Sequence, residues 1–314
     1  MLNIKDIEKR NHKEPQEVTA IRENILKSFS RLEFQEGPHK YFIHNDDKTI
    51  LEVPSVSAIT HEFEPKVDWD LKTIEYAFKH NRTVESVKRE WEENNVRATN
   101  NGTSTHLFGE AYMYFFMGKP ELIPDVIKPQ YEKGYLIPYS EKQDAIANFY
   151  ENLFTNDDIY PVMPEAQVYM GINDEYANIR QYAGTFDMLF TYKKDNEWQL
   201  ALYDWKTNKS LENDFNRLLN EVVNNPNDIR HKKWLNQYGE NAGCALSPFN
   251  NMYNESLTYY TLQLSCYSLC LQQLGYKIAD RTIVWLKKDI QGNGQWETIN
   301  LDDVTTELKQ ALQK

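Results

Sequence analysis

Two runs rich in β-branched and aromatic residues, YAGTFDMLFTY (182–192) and WQLALYDWKTN (198–208), flank Asp195-Asn196, a dipeptide suited to a two-residue hairpin turn. A symmetric hairpin about that turn sets Lys194 opposite Glu197 and, farther out, Asp187 opposite Asp204. Directly opposed residues share a face with Cβ atoms about 4.5–5.5 Å apart, and Lys206, two residues past Asp204, projects from that same face. Two carboxylates and an amine therefore converge, and a slip of one residue would separate them. Leu189, Leu200 and Leu202 are expected beside them, with Phe186, Met188, Phe190, Tyr203 and Trp205 on the opposite face. Both faces are apolar, which describes interior strands.

Facing carboxylates near such a core repel unless one is protonated or a cation bridges them. A divalent ion with a preference for oxygen, Mg²⁺ or Mn²⁺, is one resolution. A salt bridge from Lys206 to one aspartate, with the other solvated, is the alternative. The D-x-K triplet recurs as Asp46-Asp47-Lys48 in an expected turn and Asp70-Leu71-Lys72 in an expected helix, where solvated charge is the simpler reading.

Around the hairpin the periodicity changes. Residues 16–33 carry Val18, Ile21, Ile25, Leu26 and Phe29 at helical spacing. A hairpin around Asn45, Asp46 and Asp47 closes before Pro54, with packing as its expected role. The stretch 68–97 reads as a charged helix, 99–117 as a second helix carrying His106, and 140–154 as a third. EAQVYM (165–170) precedes the hairpin as a strand, so three consecutive strands form a meander over 165–208. Residues 209–255 are polar and Asn-rich and resemble an insertion; a helix follows at 256–274, then strands at 281–288 and 296–301 and a terminal helix. The expected fold is α/β, a central mixed sheet with the meander at its heart and helices on both faces. Residues 1–98 form an α-rich N-terminal decoration of helices and a hairpin, and 99–314 the core.

Thirty-five basic against forty-seven acidic residues give a formal net charge of −12, which disfavours a general coat for polyanions but leaves a cation-mediated phosphate site open. No run approaches the roughly 18 apolar residues of a membrane span, and the opening MLNIKDIEKRNHKEPQ mixes charges before any apolar stretch, so no signal, transit or membrane segment is expected. Three cysteines, Cys244, Cys266 and Cys270, form neither a disulfide scaffold nor a CxxC zinc motif, and a reducing, cytoplasmic setting fits them.

Five motifs occur in order: GTSTH (102–106), Glu165 opening a strand, GTFD (184–187), DWKT (204–207) and the pair Gln263 and Tyr267. This series, with the upstream segment HKYFIHNDDKTILEVPSV, resembles the PD-(D/E)XK nuclease superfamily, in its RecB-like branch of phage recombination, CRISPR-associated and mitochondrial genome-maintenance exonucleases. The motifs span 102–267, about half the chain. The resemblance implies a restriction-endonuclease-like core in which Asp187, Asp204, His106 and the Trp205 carbonyl ligate Mg²⁺ or Mn²⁺. Lys206 would be the catalytic lysine, Glu165 the first-motif acid, and Gln263 and Tyr267, one helical turn apart, a DNA-contacting pair. It further implies hydrolysis of DNA phosphodiesters from linear ends, single- or double-stranded, leaving 5′-phosphates, in a phage or bacterial setting of recombination or repair with a possible recombination or replication partner protein. Read without the resemblance, His106 is an ordinary surface histidine, Glu165 a solvated strand start, and Gln263 and Tyr267 plain helix-face residues.

Two departures stand out. Some members of that branch hold an iron–sulfur cluster with four cysteines, one of them N-terminal to the nuclease motifs; this chain has three, none there, so no cluster is expected. Between Lys206 and Gln263 lie 56 residues, longer than the branch leads one to expect, and they contain Arg230-His231-Lys232-Lys233-Trp234. Arg230, Lys232 and Lys233 are candidates to grip a DNA backbone, with Trp234 stacking a base; a solvated loop is the alternative. The expected function is a metal-dependent DNA exonuclease. A non-cleaving DNA-end-binding factor and a sequence- or structure-specific endonuclease on the same fold are the alternatives.

Overall fold

A computed structural model describes residues 2–11 and 14–313. The chain begins with helices α1 (Ile4–Asn11) and α2 (Gln16–Ser28), followed by strands β1 (Leu32–Gln35), β2 (Lys40–His44) and β3 (Ile50–Val53). Helices α3 (Val56–His61), α4 (Trp69–Lys79) and α5 (Val84–Phe116) come next, then a short ribbon of β4 (Tyr131–Glu132) and β5 (Tyr135–Leu136), and α6 (Glu141–Phe154). The meander is β6 (Tyr160–Tyr169), β7 (Ala183–Lys194) and β8 (Glu197–Lys206). Helices α7 (Asp214–Val223), α8 (His231–Tyr238) and α9 (Ser256–Gln272) lead to β9 (Ile278–Lys288), β10 (Gly294–Asn300) and α10 (Thr305–Leu312).

The hairpin that constrains the sequence forms in its symmetric register. Asp195 and Asn196 both take positive φ, 52° and 67°, as a type I′ turn demands, and pairs run from Lys194↔Glu197 out to Met188↔Tyr203. Strand order is β10-β9-β8-β7-β6, antiparallel throughout except for the parallel pair β8 and β9. That parallel step needs a crossover, which α7 to α9 supply. The meander therefore supplies three of the five strands, running from the central β8 to the edge β6.

Two apolar layers sandwich this sheet. Leu189, Leu200, Leu202 and Ile283 pack with α9, α2, α3 and the β1–β3 sheet. Met188, Phe190, Ala201, Trp205 and Val284 pack with α5 and α6 on the other side. Phe186 departs from the expected alternation and packs in the first layer, its ring 5.8 Å from that of Tyr267 on α9. The cause is local: beyond Met188 the pairing with β8 stops, and β7 continues paired to β6.

Several boundaries differ from the sequence expectation. The first long helix ends at Ser28, and β1 takes over at Leu32, so Phe29 becomes a buried cap residue. The break between helices falls at residues 80–83, where Asn81 takes φ 51° and the Thr83 side chain accepts from the Ser86 N–H to start α5. α5 then runs for 33 residues through TNNGTST, so positions 98 and 99 lie inside one helix. Its C-terminal half, with Phe108, Tyr112, Phe115 and Phe116 fully buried, overrides the weak helix propensity of that polar run. β6 begins five residues earlier than expected, which places Glu165 in mid-strand instead of at its start. Pro161 and Pro164 lie within β6, which its edge position tolerates.

The segment 209–255 folds as α7 and α8 around Leu219, Val223 and Ala242, with Trp234 and Leu235 packed against them. It is a small helical layer, not a solvated loop. Among the described residues no helix is long and apolar enough to cross a membrane.

α5 meets the sheet closely at Gly109, where an added Cβ would lie 3.0 Å from both Cδ1 and Cε2 of the Trp205 indole. Neither ring nor helix can retreat, because Trp205 is buried among Phe149 and Tyr150 of α6. Gly109→Ala is therefore expected to destabilise the protein by about 1–3 kcal/mol, read as a lower urea midpoint at unchanged slope. An unchanged midpoint would show that this contact yields freely.

Candidate metal centre

The site lies where the β7–β8 ladder stops. Past Met188↔Tyr203 the Asp187 side chain takes over as acceptor: its Oδ2 receives the Trp205 N–H at 2.7 Å. Its other oxygen, Oδ1, is 3.1 Å from Nδ1 of His106 on α5. On the opposite side of β7, the pairs Pro164↔Met188 and Ala166↔Phe186 bracket Glu165 and Asp187, which sets those two carboxylates across from each other. Glu165 takes φ 44°, a conformation that costs a non-glycine residue on the order of 1–3 kcal/mol and turns its side chain out of the regular strand alternation. Ligand atoms of His106, Glu165 and Asp187 all lie within 4.8 Å of one another.

Asp204 is nearly completely buried and forms an ion pair with Lys206 Nζ. Lys206 is further fixed by Gln263, whose Oε1 accepts from Nζ at 3.2 Å, and by the Tyr260 ring, whose centroid is 4.1 Å from Nζ. Gln263 Nε2 is 3.4 Å from the Tyr267 hydroxyl. Gly184 of GTFD has its own reason: a Cβ there would come within 2.8 Å of the Tyr267 ring and 2.9 Å of Val56. The ladder stops one step short of the expected Asp187–Asp204 pair, so Asp187 turns to the Trp205 N–H, and the group meeting at ligand distance is His106, Glu165 and Asp187, with the Asp204–Lys206 pair alongside. Of Trp205 the structure shows the N–H donated to Asp187, and an indole Nε1 buried with no hydrogen-bond partner.

The remaining candidates fall elsewhere. Arg230 is held in a two-point ion pair by Asp228, at 3.1 and 3.0 Å, next to the start of α8. Lys232 and Lys233 are exposed on α8, and Trp234 is packed against Tyr238 and Phe215 within the helical layer. No hydrogen bond, ion pair or ring contact of these side chains among the described residues reaches the centre. Cys244, Cys266 and Cys270 are free thiols, all buried.

His106, Glu165, Gln263 and Tyr267 line a cleft of about 590 Å³. Residues that sequence reasoning passed over line it too: Phe34, His39 and Tyr41 of the N-terminal sheet, Gln167 of β6, and Glu110 of α5. The N-terminal sheet therefore walls the site as well as packing on the core. Glu110 was the one residue open to detection, since it stands one helical turn beyond His106.

Electrostatics within the group are unbalanced. Burial pushes the Asp204 carboxyl up to about 6, with Asp187 adding to the shift and Lys206 opposing it. Burial likewise holds Glu165 well above the usual carboxylate range, reinforced by Asp187, Glu110 and Asp204. For Asp187 burial also acts upward, but His106, Lys206 and the Trp205 N–H outweigh it and the carboxyl lies below its ordinary value. His106 and Lys206 are both raised: burial works against their charge, and Asp187 and Asp204 respectively overcome it. Without a cation the surroundings thus favour protons on Glu165, His106 and Lys206.

The donor set fits a divalent cation. A half-buried imidazole and two carboxylates at mutual ligand distance, one of them protonated mainly through burial and like charge, match oxygen-preferring ions that accept one nitrogen, Mn²⁺ above Mg²⁺. The chain matches no family model and no curated protein.

A cation entering this group must displace protons, so its affinity depends on pH. Calorimetric titration with Mn²⁺ is expected to show proton release and a dissociation constant at least roughly ten-fold weaker at pH 5.5 than at pH 7.5, as Asp204 and Glu165 take up protons. Glu165→Gln should weaken binding and flatten that dependence. Equal affinity at both pH values would remove Glu165 from the ligand set.

Proposed function

We propose that this protein is a metal-dependent DNA exonuclease of the PD-(D/E)XK type in its RecB-like branch, acting in DNA recombination, repair or genome processing. The observation that carries the reading is the meeting of His106, Glu165 and Asp187 at ligand distance beside the Asp204–Lys206 pair, where His106 and Glu165 line a cleft. These are the residues whose order along the chain resembles that branch.

In this reading His106, Glu165 and Asp187, with Asp204 and the Trp205 carbonyl, hold Mg²⁺ or Mn²⁺. When bound, the cation supplies charge to polarise a phosphodiester and to acidify an attacking water. The protein supplies the rest. Asp187, anchored by the Trp205 N–H at 2.7 Å, stays ionised and fixes the His106 ring. Lys206, kept protonated by Asp204, has a donor to offer and no lone pair, so its role is to hold water or stabilise charge growing on the phosphate oxygens. Gln263 restricts the ammonium to one direction, and the wall of α9 behind it keeps that pair in place. Attack on phosphorus breaks its bond to the 3′ oxygen and leaves a 5′-phosphate on the product. A cation over a core of acidic residues also reconciles a net charge of −12 with a polyanionic substrate.

The test uses end-labelled linear single- and double-stranded DNA and a closed circle, in Mg²⁺, Mn²⁺ or EDTA. Degradation of the linear strands in metal alone, with the circle intact, is expected. Lys206→Ala should lower the rate by about 100-fold or more while Mn²⁺ still binds. DNA ends bound but never cut under any metal would make the protein an end-binding factor, and cutting of the circle would make it an endonuclease.

A further inference from the structure

Three aromatic rings stand at the mouth of the cleft and take no part in the contacts of His106, Asp187 or Lys206. Phe34 of β1 stacks on Tyr41 of β2, with centroids 4.7 Å apart and planes at 28°. His39, in the turn between those strands, meets Phe34 edge-on at 5.0 Å and Tyr41 at 6.1 Å. Tyr41 is buried, and its hydroxyl lies 3.2 Å from Thr185 Oγ1, two residues from Asp187. The ring group is thereby tied to the strand that carries the candidate ligand. Phe34 is half-buried and His39 exposed, and both line the same cleft as His106 and Glu165.

The charge of the cleft gives these rings their meaning. Among the described residues its lining includes Glu36, Glu110 and Glu165 and no lysine or arginine. A nucleic-acid strand entering there finds no cationic track for its phosphates, so its hold must come from another source. Aromatic faces supply one, because every base offers a π-face to stack on. A base inside a duplex cannot reach those faces, because neighbours cover both of its own, and a terminal base held by its pair exposes only one face and cannot turn into the cleft without its partner, so an unpaired end base suits the subsite. The volume, about 590 Å³, is that of a small-ligand site and suits part of one strand.

We propose that Phe34, backed by Tyr41 and flanked edge-on by His39, forms a stacking subsite for an unpaired nucleobase, holding a single DNA strand whose adjacent phosphodiester lies at the His106–Glu165–Asp187 centre. The proposal rests on the hydrolytic reading above, and it assigns that reading a substrate: a single-stranded end. Tyr41 acts as the fixed backing of the stack.

Binding is measured with a single-stranded oligonucleotide carrying 2-aminopurine at its end, in Ca²⁺, while cleavage of the same strand is followed in Mn²⁺. Two conservative variants are used. Phe34→Leu keeps the apolar filling of the half-buried position without the ring, and His39→Asn suits the positive φ of 52° at that residue. Wild-type protein should quench the 2-aminopurine, and each variant should bind roughly ten-fold more weakly with Mn²⁺ affinity unchanged. A strand with an abasic end should bind wild type and variants alike, at the weakened level. Equal binding of intact and abasic ends by wild type, or blunt duplex held as tightly as the single strand, overturns the subsite. Strand cleavage unaffected by either variant also overturns it while leaving the hydrolytic reading in place. Quenching without cleavage under any metal supports the subsite and removes the hydrolytic reading.

Discussion

Asp187 accepts the Trp205 N–H where the backbone ladder between β7 and β8 gives out, and the whole site is arranged around that one substitution of a side chain for a carbonyl. It serves both strands at once. The N–H of a buried residue finds its acceptor, and a buried carboxylate finds a donor that lowers its pKa without needing a full counter-charge. With one oxygen so engaged, the other is left for His106, which α5 delivers from the opposite layer. α5 in turn can come near enough only because Gly109 has no side chain to set against Trp205. Fold and site thus share a single element: the tryptophan that supports the helix also supplies the N–H that aims the aspartate.

The cost of this arrangement is a concentration of charge in a poorly solvated place. Asp187, Asp204 and Glu165 repel one another when ionised, and the surroundings raise the proton affinity of Glu165, His106 and Lys206. A strained mid-strand Glu165 and a cluster of repelling carboxylates are expensive ways to build a core. Groups of this kind concentrate at functional sites, where a bound ion takes over the neutralising role of the protons.

The sequence made the β7–β8 hairpin legible because an Asp-Asn turn leaves little choice of register, and from it the positions of Asp187, Asp204 and Lys206 followed. Glu165 was read as a strand start, since Pro164 interrupts the pattern and only the tertiary placement of β6 at an edge shows that a proline can lie inside it. Nor was Phe186 legible on its true side, because alternation holds only while both neighbours are paired. The polar run 99–105 looked like the start of a helix and is the middle of one; the burial that carries α5 through it comes from residues farther along. His39 and Tyr41 lie in the upstream segment that carried part of the resemblance, but nothing in it or at Phe34 marked these rings as facing the site. They matter through tertiary proximity, which no local pattern reports.

The central claim is that His106, Glu165 and Asp187 form a cation site, and it is tested most directly by anomalous diffraction from crystals soaked in Mn²⁺. A single strong peak is expected between these three side chains, with ligand distances of about 2.1–2.3 Å and the Glu165 side chain within reach of the ion. No peak there at saturating Mn²⁺ and neutral pH, with Lys206 still paired to Asp204 and Glu165 still protonated, would contradict the account and leave the cluster a buried structural network.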